Sequence, residues 1–303
     1  MRALVTGASG FAGQHLCDCL SKRGCDVSGT YHINPSKRWA SHRLNILDKD
    51  GFKDVLAKAK PDVVFHLAGM SSVRESFENP KLCFETNVTG TKNLMESLIE
   101  LKQIPKVVVV SSSEVYAPSD NSLNEISPPG PKTPYGKSKL AQEELCHQYS
   151  PKAEIVILRS FTHIGPGQRD VFFMSNFAKQ IAEIEAEKRE PIIKVGDLCV
   201  KRDITDVRDI AAAYCLAAEK AKPGETYNVC SGKAYLLKDL LDKLIEISGI
   251  EVEVRVDKKR LRETDRKLSI GDNSKFVKAT GWKPKVPIRQ TMKDTLDYWR
   301  KRI

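Results

Sequence analysis

Tyr135-Gly136-Lys137-Ser138-Lys139 places a phenol and an ammonium four residues apart, directly after Pro134. Pro at a first helical position followed by a long polar-apolar run predicts a helix over Pro134–Tyr149, so both side chains share one face, a turn apart. A phenol titrates near a pH of about 10, too high for easy proton exchange at neutrality, and a neighbouring ammonium favours the phenolate. Tyr135 can therefore act as a general acid or base toward an oxygen on a reacting carbon. About 20 residues earlier, Ser111-Ser112-Ser113-Glu114-Val115-Tyr116 follows the apolar run Val107–Val110 and adds hydroxyls and a carboxylate. Each motif alone arises often by chance. Together they describe proton chemistry at the end of a buried strand.

A third motif says what that chemistry is paired with. Gly7-Ala8-Ser9-Gly10-Phe11-Ala12-Gly13 follows the strand-like Arg2–Thr6 and opens an apolar-periodic helix, giving G-x-x-G-x-x-G between a strand and a helix. Gly7 suits a tight turn, Gly10 lets backbone approach a pyrophosphate at a helix N-terminus, and Gly13 allows close helix–sheet packing. The implied ligand is a nicotinamide dinucleotide, whose ribose Lys139 is expected to hydrogen-bond. In NAD users the second strand normally ends in a carboxylate that holds the adenosine ribose. Here Asp26–His32 ends without one, and His32, Lys37 and Arg38 stand nearby. NADP(H) is favoured, with NAD(H) possible.

The elements that must position these residues form a regular series. Runs apolar on consecutive residues, Arg2–Thr6, Asp26–Thr30, Val63–Leu67, Val107–Ser111 and Ile155–Leu158, alternate with helical stretches Ala12–Lys22, Phe52–Ala59, Pro80–Leu101 and Pro134–Tyr149. Strands buried on both faces predict an α/β fold, a Rossmann-like doubly wound parallel sheet with a smaller α/β substrate-binding lobe. Helices are expected at Phe172–Lys188, Ile204–Lys220, Leu236–Ser248 and Ile288–Arg300, with strands near Ile192–Val195, Thr226–Cys230 and Val252–Val256. The division expected is 1–160 plus about 198–230 for the dinucleotide, and about 161–197 plus 231–303 for the substrate lobe.

The 49 Lys and Arg against 39 Asp and Glu leave a charge of +10, which raises the question of nucleic acid. The basic residues are dispersed, and the densest run, Lys258–Lys267, is broken by Glu263 and Asp265. Small polyanionic ligands fit better than nucleic acid. No apolar run reaches the roughly 18 residues needed to span a bilayer, so no membrane partner and a cytoplasmic location are expected. The eight cysteines show no pair at zinc or thioredoxin spacing; Cys17 and Cys19, two apart on a helix, point to different sides. They read as reduced, mostly buried thiols, and no metal site is expected.

The glycine spacing, the Ser-rich strand end and Y-x-x-x-K together are similar to the extended short-chain dehydrogenase/reductase superfamily. Further segments sharpen this: Phe161-Thr162-His163-Ile164-Gly165-Pro166-Gly167-Gln168, Phe177–Ile181, Pro191–Gly196, Arg202-Asp203 and Asp206–Ile210. Over essentially the whole chain the sequence resembles the GDP-4-dehydro-6-deoxy-D-mannose reductases, close relatives of the GDP-mannose 4,6-dehydratases. The resemblance implies NAD(P)H-dependent reduction of a C4 ketone on a GDP-linked hexose, giving GDP-D-rhamnose. Ser112 matches the hydroxyl that orients substrate and polarises the ketone. Glu114 matches the dehydratase base that takes the C5 proton, which keeps a 4,6-dehydratase open as an alternative, with a 4-epimerase third and a cofactor-sensing binding protein as a different class. The segment after Phe161 and the short chain favour the reductase, and the dehydratase's neighbour-linked tetramer should be absent.

By the same resemblance, Arg202 and Arg262 match contacts to nucleotide phosphates, and Asp265 stands where the family has a ribose-holding glutamate. Thr162 replaces an asparagine, Asn45 replaces an adenine-contacting aspartate, and Lys194 lies near the base pocket. The cofactor wall expected is Gly7, Gly10, Phe11, Ala12, Gly13, Thr30, His32, Arg38, Asn45, Ile46, Leu67, Ala68, Gly69, Tyr135 and Lys139. The substrate wall is Ser72, Ser112, Glu114, Tyr135, Thr162, Lys179, Lys194, Arg202, Arg262 and Asp265. In the extended branch the helices after Pro80 and Pro134 pair with their symmetry mates, and Leu94, Leu98, Leu140 and Leu145 are the apolar residues expected to form such a homodimer.

Overall fold

The structure is a computed structural model describing residues 1–33, 38–261 and 266–303. In chain order the first half runs β1 (Arg2–Thr6), α1 (Phe11–Lys22), β2 (Asp26–Tyr31), β3 (Ala40–Arg43), α2 (Lys49–Ala59), β4 (Val63–His66), α3 (Val73–Glu78), α4 (Pro80–Phe84), a π-helical turn (Glu85–Thr89), α5 (Gly90–Glu100), β5 (Lys106–Ser112) and α6 (Pro134–Tyr149). The second half adds β6 (Ile155–Ser160), β7 (Thr162–Ile164), α7 (Phe173–Glu185), β8 (Ile192–Val195), β9 (Lys201–Asp206), α8 (Val207–Lys220), β10 (Thr226–Val229), β11 (Ala234–Leu236), α9 (Leu237–Ser248), β12 (Glu253–Val256), β13 (Leu268–Ser269), α10 (Ser274–Thr280) and α11 (Ile288–Arg300).

Seven strands in the order β10-β6-β5-β4-β1-β2-β3 form one parallel sheet, the Rossmann-like doubly wound arrangement expected. Alternation along the strands explains its two-sided burial. In β5, Val108 packs with Leu16 and Leu20 of α1 and Ile210 and Tyr214 of α8, while Val107 and Val109 pack on the other face with α2, α5 and α6. The remaining strands form two small sheets, β11-β9-β13 with β7 beside β9, and β12-β8. Behind them α7, α9 and α11 enclose a separate apolar cluster around Phe177, Ile181, Leu241 and Leu296. No helix among the described residues is long and apolar enough to cross a membrane.

Two expectations change and one gains a detail. The helix expected from Ile204 begins at Val207, because Lys201–Asp206 is extended and pairs with β7, β11 and β13. Its β-branched Ile204 and Thr205 fit a buried strand, and the Asp206 carboxylate caps the helix by accepting from Arg208 N at 2.7 Å. The helix expected over Pro80–Leu101 is present and runs without interruption from Pro80 to Glu100, with one π turn at Glu85–Thr89 in which Asn87 is buried. Finally, Leu94 and Leu98 are buried against the large sheet, so they are core and offer nothing to a second subunit. Leu140 and Leu145 are half-buried, and the large apolar side chains exposed on α3 and α4 are Phe77, Leu82 and Phe84.

Candidate active site

At the carboxyl end of β5 the chain turns through Ser113–Val115, with the Ser112 hydroxyl accepting from Glu114 N at 3.2 Å. The facing element is α6. Thr133 caps it by accepting from Gly136 N at 3.0 Å, and Pro134 supplies its first residue, so Tyr135 sits in the first turn, at the positive end of the helix dipole. Tyr135 and Ser112 are buried and interact through their hydroxyls. Burial pushes the phenol well above its ordinary value, the Ser112 hydrogen bond works against that rise, and the Glu114 charge adds to it. The structure thus holds a protonated phenol beside a hydroxyl.

One turn along, the Lys139 ammonium lies 6.0 Å from the centre of the Tyr135 ring. It donates to Val110 O at 2.8 Å and to Gln142 Oε1 at 2.9 Å, which leaves the third proton for a ligand among the described residues. Burial lowers its pKa to about 8. Gln142 passes the constraint inward by donating to Thr91 Oγ1 at 2.6 Å, and Thr91 donates to Asn87 O at 2.7 Å. His66 Nε2 meets the same Thr91 oxygen at 3.1 Å, and His66 Nδ1 meets Thr6 Oγ1 at 2.9 Å. Since Ala68 N already donates to Thr6 Oγ1, the consistent assignment has Thr6 donating to Nδ1 and Nε2–H donating to Thr91. Burial drops His66 to about 3, so it stays neutral and the chain keeps its direction.

Glu114 is half-buried at the same turn, with Thr133 Oγ1 donating to its carboxylate at 3.4 Å. Sequence reasoning missed its neighbour Arg266. This buried guanidinium donates to the carbonyls of Ser113 at 3.2 Å, Glu114 at 3.1 Å and Tyr116 at 2.6 Å, and lies 4.0 Å from the Glu114 carboxylate. Its own carbonyl accepts from Arg202 Nη1 at 2.7 Å. No spacing signal links position 266 to positions 113–116. Arg266 and Lys267 read only as part of a basic stretch.

The glycine turn is shaped for a pyrophosphate. Gly7 takes a left-handed backbone (φ 73°), and a Cβ on Gly13 would lie 2.2 Å from Gly7 O, so the strand-to-helix approach requires both glycines. No side chain caps the N-terminus of α1 and its first turn carries no acidic residue, so the N–H groups of Phe11 and Ala12 suit an anion, while Gly10 N donates back to Gly7 O at 2.9 Å and closes the turn. Thr30, buried at the end of β2, accepts from Gly7 N at 3.2 Å. Phe11 stacks on His163 at 5.9 Å, and His15 Nε2 meets Pro166 O at 2.8 Å, which packs the loop after β7 over the turn. Leu67, Ala68 and Gly69 follow β4 beside it; a Cβ on Gly69 would meet Asn87 Oδ1 at 2.5 Å and Lys139 Nζ at 4.0 Å. These residues fit a nicotinamide dinucleotide.

Around the adenosine end the side chains are less committed to a ligand. His32 is exposed, and Arg38 is exposed too but pairs with Asp18 Oδ1 at 3.2 Å, an acidic neighbour on α1 that sequence reasoning did not weigh. Lys37 lies outside the described residues. Asn45 already accepts from Leu47 N at 3.1 Å, and Ile46 is buried against Gly90.

The substrate wall is brought together only in part. Ser72 is buried and caps α3 by accepting from Glu75 N at 3.2 Å, while Thr162 begins β7 opposite Ile204. Lys179 is paired with Asp170 at 2.6 Å and packs on Trp299. Lys194 is exposed on β8, beside an open cavity of about 620 Å³ that Arg189, Arg255 and Arg302 also line. That cavity opens on the small sheet, away from Tyr135. Arg262 and Asp265 lie outside the described residues.

Comparison with known proteins decides the family. The model of the GDP-mannose 4,6 dehydratase family matches residues 4–295. The chain belongs to this family. It is 34% identical to GDP-6-deoxy-D-mannose reductase of Pseudomonas aeruginosa, over 100% of this chain and 98% of that one. Among solved structures, RMD from Pseudomonas aeruginosa complexed with NADPH superposes with a TM-score of 0.88 at 32% identity, covering 100% of both chains. Thermus thermophilus UDP-glucose 4-epimerase in complex with NAD superposes with a TM-score of 0.88 at 29% identity, also covering 100% of both. This member of the GDP-mannose 4,6 dehydratase family is therefore an NAD(P)-dependent enzyme of nucleotide-sugar metabolism, in the extended short-chain dehydrogenase/reductase superfamily.

Proposed function

We propose that the enzyme reduces the C4 ketone of GDP-4-dehydro-6-deoxy-D-mannose to GDP-D-rhamnose, with NADPH favoured over NADH. The observation that carries this reading is the buried Tyr135 phenol, kept protonated beside the Ser112 hydroxyl with the Lys139 ammonium one turn below. A ketone becoming an alkoxide needs a proton, and this site stores one next to a second hydroxyl that can polarise the carbonyl. The nicotinamide, when bound, supplies the hydride. Gly7, Gly10, Phe11, Ala12 and Gly13 would hold its pyrophosphate, and the remaining Lys139 proton would reach its ribose. Tyr135 gives its proton to O4, and the Lys139 charge stabilises the phenolate that results. Arg202, Arg262 and Asp265 would hold the nucleotide, with Thr162, Lys179, Lys194 and Ser72 along the sugar and base.

The 34% identity to GDP-6-deoxy-D-mannose reductase supports the substrate, and the NADPH bound to RMD supports the cofactor choice. Glu114 supports a second reading as 4,6-dehydratase, because its half-buried carboxylate stands at the same turn as Ser112 and acts on the Tyr135 phenol. Incubation with GDP-mannose and no added NADPH separates the two. Reduction predicts no 4-keto product, whereas accumulation of a 4-keto sugar would assign the dehydratase. The homodimer stays part of the proposal on the exposed Phe77, Leu82 and Phe84, each 47% accessible, in place of Leu94 and Leu98. Sedimentation as a monomer at micromolar concentration would remove it.

A further inference from the structure

Helices α1 and α8 lie on the same face of the large sheet, and two side-chain pairs join them. Cys215 Sγ approaches Cys19 Sγ at 3.4 Å, and Arg23 reaches Glu219 at 2.6 Å. Both pairs carry the same sequence offset of 196 residues and sit four residues apart, Arg23 being the residue that caps α1, so the helices run parallel and in register here. The two thiols therefore face each other through the helix geometry. We propose that Cys19 and Cys215 form a thiol-oxidation site, where an organic hydroperoxide converts the pair into a disulfide that links α1 to α8.

The two cysteines have unequal surroundings, as a nucleophile and its resolving partner need. Cys19 is half-buried at the edge of the helix pair, and its thiol is held below the ordinary range by the S–H that Cys215 donates, with the Arg23 and Lys22 charges adding to the effect. Cys215 is buried, and its hydrogen bond to Cys19 together with burial push it up, so it keeps its proton. Elsewhere Cys17, Cys83, Cys146 and Cys230 are buried with thiols pushed up, Cys25 is half-buried, and Cys199 is exposed. In the first step the Cys19 thiolate attacks the outer hydroperoxide oxygen, the O–O bond breaks, and the alkoxide leaves and takes up a proton. Cys19 is then a sulfenic acid. Cys215 attacks its sulfur, giving up its own proton, the S–O bond breaks and water leaves. Two thiols lose two electrons and two protons, and the hydroperoxide becomes an alcohol and water. The sulfurs must close from 3.4 Å to about 2.05 Å.

The site is independent of the proposed reaction, since Cys19 lies eight residues beyond Phe11, about 12 Å along α1. The test uses the full chain carrying Cys199→Ser, treated with stoichiometric tert-butyl hydroperoxide, denatured, alkylated and mapped by mass spectrometry. The expected result is a linked pair of peptides carrying Cys19 and Cys215, with two thiols fewer per chain. With Cys215→Ala added, Cys19 should persist as a sulfenic acid that dimedone traps; with Cys19→Ser added, neither product should form. Recovery of Cys215 fully alkylated after oxidation of the Cys199→Ser chain, or dimedone labelling of Cys19 in that chain as strong as in the Cys215→Ala variant, would overturn the proposal.

Discussion

The end of the large sheet and the surface of the small sheets treat their charged residues in opposite ways. At the first, Lys139 is buried, its proton acceptors are Val110 O of β5 and Gln142, and a directed chain through Thr91, His66 and Thr6 fixes Gln142. At the second, Lys179 is held by Asp170, and Lys194 is exposed. The contrast separates two jobs. A proton-transfer group must be placed before the ligand arrives, because rate depends on geometry at the reacting atom. Groups that grip a nucleotide can exchange one partner for another on binding, at the modest net energies of exposed ion pairs.

Breaking the buried half should give the largest effect. Tyr135→Phe removes the proton donor and little else, so turnover should fall by roughly a hundredfold to ten-thousandfold while NADPH binding, read by fluorescence titration, survives. Near-normal turnover would mean that the phenol is a bystander. Next comes Arg266→Met, which strips donors from three carbonyls of the turn carrying Glu114. Unfolding in urea should show a loss of about 2–4 kcal/mol, and kcat/KM should drop by roughly tenfold or more through displacement of Ser112. Unchanged values for both would show that the turn holds itself.

The pH profile sharpens the comparison further. Lys139 titrates at about 8, so raising the pH through that value removes the charge that stabilises the Tyr135 phenolate, and kcat should decline on the alkaline side. Gln142→Leu removes an acceptor that favours the ammonium, and should move that limb to lower pH by about one unit. A simple structural role would change kcat without moving the limb. Least affected should be Glu114→Gln, which keeps volume and hydrogen bonding while deleting basicity. Ketone reduction consumes no carboxylate base, and a loss below about tenfold is expected. A loss of a hundredfold or more would transfer weight to the dehydratase reading.

Legibility in the sequence follows the same division. Tyr135 and Lys139 share one helix, and Gly7, Gly10 and Gly13 share one turn, so their spacing exposes them directly. The doubly wound sheet was legible because strands buried on both faces are apolar on consecutive residues, as in Val107–Val110. Thr6, His66, Thr91 and Gln142 come from four separate elements and meet only when the sheet is assembled. The strand Lys201–Asp206 was hidden because its charged ends resemble a helix start, while its pairing partners lie far away in sequence. Asp18, which faces Arg38, was invisible for the same reason, and it tempers the charge that a 2′-phosphate would meet.

The assignment of a ketone reductase is tested most directly by supplying GDP-4-dehydro-6-deoxy-D-mannose and NADPH in heavy water and following the sugar by proton NMR. Reduction at a pre-formed Tyr135–Ser112 pair predicts one GDP-D-rhamnose formed per NADPH oxidised, with the C5 hydrogen retained. Deuterium appearing at C5, or a 4-keto sugar persisting while NADPH remains unconsumed, would contradict it.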